Sequence, residues 1–210
     1  MIRPGCGEES PTVMALIAIL STAMLLCSCV GYESSPYPRA TPASTIEQLL
    51  IEQSMLPDDW QVWAGTFEPR QWLPAEQIAL SFGIDGCAPN SLGGSHYVYR
   101  FPNGARSVAS AYRYKTTIWF AATEGWGPWD VPPQLVHKSP LADQYRFDCT
   151  IRLGSTVQTC QAVGQYEECL VRFHTSMDAK HPECMSFVDL ERILIAIDER
   201  VALYLGKETQ

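Results

Sequence analysis

Near the end of the chain six side chains, Phe187, Leu190, Leu194, Ile197, Val201 and Tyr204, recur at alternating three- and four-residue intervals. That spacing gathers them on one side of an α-helix. Glu191, Arg192, Asp198, Glu199 and Arg200 fall largely off the stripe. Tyr204 can keep its ring in a core and its hydroxyl at the wet edge. A helix with one apolar stripe has to be laid on something apolar, and the simplest partner is a sheet. Burying about five such side chains contributes on the order of 10 kcal/mol before conformational entropy is subtracted.

The rest of the chain supplies that sheet. Ser44-Thr45-Ile46-Glu47 has capping-box spacing and predicts a short helix through Ile46, Leu49 and Leu50 toward Met55, ended by Pro57-Asp58-Asp59. Trp60 to Trp63 alternates into a strand or a loop. Residues 75–83 and His96–Phe101 read as strands, and Gly93-Gly94-Ser95 as a turn before the second. In residues 105–120 the clustered alanines favour a helix, although Tyr112, Tyr114, Thr116, Ile118 and Phe120 alternate as a strand would. Residues 124–140, rich in proline and glycine, read as a long loop. Gln144–Leu153 and Thr156–His174 read as strands, the latter interrupted near Gly164. The order helix, strands, helix, strands, helix predicts an α+β domain over residues 44–206: an antiparallel sheet with helices packed on one face and an amphipathic C-terminal helix.

Upstream, residues 13–26 carry no charge, too short a run for the roughly 20 residues of a membrane-spanning helix but suited to a secretory signal; extended through Val30 the run reaches 18 residues, and an uncleaved N-terminal anchor is the alternative. The run ends in Leu26-Cys27-Ser28-Cys29. This resembles a bacterial lipobox, with Cys27 and a weakly basic leader as departures. The resemblance implies a signal peptide over residues 1–28, a diacylglycerol on Cys29 as mature N-terminus, and a lipid anchor on the outer face of a membrane. The stretch 29–43, GYESSPYPRATPA following Cys29-Val30, is poor in buriable surface and reads as a flexible tether. Leader, tether, a YRFxC strand and the helix DLERILIAIDERV together resemble small bacterial lipoproteins, and more loosely the disulfide-stapled extracellular sensor domains of membrane kinases.

Eight cysteines fit an oxidising exterior. Cys149 and Cys160 flank a hairpin whose loop centres on Gly154-Ser155, and face each other at a close, non-hydrogen-bonded pair, so a bridge is expected there. Of Cys87, Cys169 and Cys184, Cys87 with Cys184 is the expected pair, although spacing alone does not fix it. The rival is a zinc site of Cys169, His174, His181 and Cys184. Its spacing fits no familiar zinc motif and zinc competes poorly with oxidation outside the cytoplasm, so no metal or cofactor is expected.

A formal charge of −8 without a Lys/Arg cluster argues against nucleic acid as a partner. Gly93-Gly94-Ser95-His96 lacks the second glycine of a nucleophile elbow, and Glu167-Glu168, if on a strand, point to opposite faces. No catalytic residue is assigned. Trp126 and Trp129 in the Gly/Pro loop are the candidate ligand contacts, for a small ligand, peptide or glycan. The expected role is a membrane-tethered, non-enzymatic binding or sensing module. A hydrolase with an unassembled site and a structural envelope protein are the alternatives.

Overall fold

The computed structural model describes residues 45–63, 76–87, 92–101 and 105–207, without the side chains of 105 and 106. The leader, Cys29 and the tether lie outside the described residues. Among those described, six strands form one sheet in the order β1-β2-β3-β6-β5-β4, each neighbour antiparallel. They are β1 (Gln61–Trp63), β2 (Glu76–Ile84), β3 (Leu92–Arg100), β4 (Gln144–Ile151), β5 (Val157–Tyr166) and β6 (Cys169–Asp178). Two helices, α1 (Ala105–Trp119) and α2 (Phe187–Leu205), and two 3-10 turns (Ile46–Leu49, Gln53–Met55) pack against it. The class is the expected one, α+β on an antiparallel sheet.

Alternation along the strands sorts side chains to two faces. On one face Leu80, Phe82, Val98, Phe147, Ala162, Val171 and Phe173 meet Leu190, Ile193, Leu194, Ile197 and Val201 of α2, and Ile46, Leu49 and Ile51. Helix α2 starts with a full capping box, Ser186 and Asp189 each accepting the other's amide, and stops at Gly206 in a left-handed conformation (φ 65°). The Tyr204 hydroxyl, at the end of the stripe, accepts a hydrogen bond from Arg100 Nη1 (3.2 Å).

The other face is not left bare. Tyr99, Val163 and Leu170 point that way and are covered by Val108 and Tyr112 of α1 and by Phe120 just beyond it. Helices therefore lie on both faces, α1 opposite α2, because β3, β5 and β6 carry apolar residues on both sides and the stripe of α2 can cover only one. Tyr114 and Ile118, which the strand reading of this segment would have used, are exposed.

Four local departures have physical causes. The first predicted helix is two 3-10 turns, broken so that Ile51 can bury and donate its amide to His96 Nδ1 (3.1 Å). Gly93-Gly94-Ser95 is not a turn but part of β3, where a Cβ on Gly94 would strike the Phe82 ring and the His174 carbonyl. Gly164 lies within β5, and the break comes at Glu167-Glu168, a two-residue hairpin turn with Glu167 at φ 51°. The bare Cα of Gly164 leaves room for the Tyr166 ring. Asp198, expected off the stripe of α2, is buried: its Oδ1 accepts from Tyr166 Oη and Ser139 Oγ, both at 2.8 Å.

The structure bonds Cys149 to Cys160 across the β4–β5 hairpin, Cα atoms 4.1 Å apart, and Cys87 to Cys184, Cα atoms 6.0 Å apart. The Cys149 amide turns away from β5 and donates to the Asp130 carbonyl, as a non-hydrogen-bonded pair requires. Cys169 is free and buried, and burial, more than the nearby glutamates, pushes its thiol up to about 12.

Candidate functional site

The 121–135 segment is long and proline-rich, yet it is held along the outer edge of β4. Gly127 N–H donates to the Ile151 carbonyl (2.8 Å), Asp130 and Cys149 exchange two hydrogen bonds (2.9 Å each), and Leu153 N–H donates to the Gly125 carbonyl. Thr150 Oγ donates to the Gly127 carbonyl (2.8 Å). These bonds cap an open sheet edge and fix the two tryptophans over the face that α1 covers only in part. Trp129 stands edge-on to Phe120, ring centres 5.1 Å apart, with its indole N–H on the Ala121 carbonyl.

Between the loop and the sheet is a recess of about 150 Å³, lined by Thr123, Trp126, Trp129, Thr150, Thr159 and His174. The three strand residues share a face through the register Thr150↔Thr159 and Gln161↔His174. His174 is half-buried. Burial first, and the charge of Arg172 second, pull its imidazole down to about 4, so at neutral pH it offers one donor and one acceptor and no charge.

Arg172, two residues away on the same face, is already engaged. Its guanidinium lies 4.4 Å from the Trp119 ring centre and 5.5 Å from that of Tyr97, and its Nε donates to Gln161 Oε1 (2.6 Å). Gln161 Nε2 in turn donates to the Trp119 carbonyl at the end of α1. This network ties the helix end to the sheet and sets one wall near the recess. A larger hollow of about 410 Å³ is lined by Asp85 and by Trp63 and Cys87, the last described residues before two segments outside the described chain.

Two other clusters test the catalytic and metal readings. Ser139, His137 and Asp198 meet behind α2, with His137 Nε2 3.1 Å from Asp198 Oδ2 but out of line for a hydrogen bond. A nucleophilic triad needs the histidine between serine and carboxylate. Here Ser139 donates straight into the carboxylate, so the group anchors the 135–142 connection to α2. Of the zinc set, Cys169 and His174 point to opposite faces of β6 and the Cys184 sulfur is in a disulfide. His181 and Glu183 pair with each other (3.0 Å).

Trp126 and Trp129 are thus brought together, and the structure adds Thr123, Thr150, Thr159 and His174. Part of that addition is implicit in the sequence. Once Cys149 faces Cys160, Thr150 must face Thr159. The position of His174 needs the turn at Glu167-Glu168, which the break at Gly164 misplaced.

No family model and no curated protein matches this chain. Among solved structures it is similar to the extracellular domain of PknH from Mycobacterium tuberculosis, with a TM-score of 0.51 and 10% sequence identity over 80% of this chain and 100% of that one. At that identity the likeness is one of fold.

Proposed function

We propose that this chain is a membrane-tethered, extracytoplasmic binding module whose ligand enters the recess between Trp126, Trp129 and the strand residues Thr150, Thr159 and His174. The recess carries the reading: two indoles and several neutral polar groups converge there, with no nucleophile paired to a base. Two disulfides and the fold shared with an extracellular domain support an oxidising location. The Leu26-Cys27-Ser28-Cys29 stretch supports lipid attachment at Cys29. A lipid on Cys29 would join the domain to a membrane surface.

The test is ligand-dependent tryptophan emission from the purified domain mixed with fractionated cell-envelope extracts. A fraction should shift the emission of the wild-type protein, and the shift should be lost in Trp126→Phe and Trp129→Phe. Shifts that persist in both variants, or no shift with any fraction, would contradict the reading.

A further inference from the structure

Resting on the binding reading above, we infer that the recess accepts one neutral sugar ring of a glycan. Its volume, about 150 Å³, is half or less that of a drug-sized pocket, and equals that of a cavity able to hold a single six-membered ring. One ring of a longer chain fits, with the neighbouring units outside.

The lining chooses among rings. It holds no carboxylate, lysine or arginine, so an ionised group entering it would give up water without gaining a counter-charge. A purely apolar ring fails for the opposite reason. Among the described residues no hydrogen bond takes up the Trp126 indole N–H, the Thr159 hydroxyl or either ring nitrogen of His174. An apolar guest would leave these groups dry and unpaired. The hydroxyls of Thr123 and Thr150 donate to the Ala121 and Gly127 carbonyls, and remain acceptors. A pyranose matches both requirements, with C–H groups on its faces for the indole planes and hydroxyls around its rim for the threonines, the imidazole and the Trp126 N–H. The Trp129 N–H is committed to Ala121, which makes that indole a fixed plate.

The experiment is saturation-transfer NMR on the folded domain with the methyl glycosides of glucose, galactose, mannose and N-acetylglucosamine. Glucuronate, benzoate and a trimethylammonium salt serve as charged or apolar probes. At least one neutral glycoside should receive saturation through its ring C–H protons, with millimolar affinity. Trp126→Ala should abolish the transfer. Thr159→Val, which preserves side-chain shape, should weaken binding about fivefold or more while leaving the thermal midpoint within a few degrees. Transfer to the charged or apolar probes in place of every neutral glycoside would overturn the sugar assignment and leave the binding reading standing. The absence of transfer to all probes would also overturn it, and the envelope-extract measurement would then decide the binding reading separately. Glycoside binding that Thr159→Val and Trp126→Ala leave unchanged would place the sugar elsewhere and overturn the assignment.

Discussion

His96 is fully buried in β3 under the first 3-10 turn, accepting the Ile51 amide at Nδ1, with its Nε2 unpartnered among the described residues. Burial, with a smaller contribution from the charge of Arg200, holds its pKa near 3, against an ordinary 6.5. Below pH 6.5 the unfolded chain takes up a proton that the folded chain refuses. Stability is therefore complete above pH 6.5 and declines toward pH 3, by up to about 1.4 kcal/mol per unit for this one group. His174 acts in the same direction between 6.5 and about 4. Urea melts at pH 7.5, 5.5 and 4.5 should show the decline. His96→Asn, which keeps an oxygen to accept the Ile51 amide, should make the decline markedly shallower, leaving the part that His174 contributes; equal slopes would contradict the assignment. Gly94→Ala should cost about 1–3 kcal/mol, because the Phe82 ring and the His174 carbonyl occupy the space a methyl needs. A midpoint unchanged in urea would show that the strand can yield there.

At the scale of elements, Asp198 joins α2 to the 135–142 connection and to β5 through Ser139, Tyr166 and His137. Asp198→Ala strands these buried partners and should cost about 3–5 kcal/mol, lowering Tm by about 6–20 °C at 2–4 °C per kcal/mol. Tyr166→Phe, which leaves Ser139 on the same oxygen, should cost about 1 kcal/mol. Equal losses in a calorimeter would contradict a shared hub. This buried aspartate also marks where reading from periodicity stops. The apolar stripe of α2 was legible because helix geometry repeats, and the β4–β5 register because two cysteines mark it. The burial of Asp198 was not, since its partners lie 32 and 59 residues away. The side of the sheet taken by α1 was equally hidden, because apolar residues on both sides of a strand do not say which helix covers which. Gly93-Gly94 misled for a related reason: glycine in a strand and glycine in a turn read alike until the ring that needs the space is known.

As a whole molecule, the fold is held by two covalent ties of different reach. Cys149–Cys160 closes a sequence separation of 11 and Cys87–Cys184 one of 97. By loop entropy the first stabilises by about 3 kcal/mol and the second by nearly 5 kcal/mol. Paired Cys→Ser variants should rank in that order in urea, and the reverse order would refute the entropic account. The long tie pins the bend after β2 to the segment that launches α2, and Trp60 donates to the Cys184 carbonyl beside it. The short tie is joined through the backbone to the loop that carries Trp126 and Trp129, since Cys149 also pairs with Asp130, while its sulfurs lie on the α2 face of the sheet. Stability in an oxidising medium and presentation of the recess are thereby linked. The most direct test of that account is mass spectrometry of the protein taken from its native membrane fraction without reductant. It should show an N-terminal diacylated Cys29, intact Cys87–Cys184 and Cys149–Cys160 peptides, and a Cys169 that is alkylated only after denaturation. An unprocessed N-terminus with reduced thiols at all four bridge positions would contradict it.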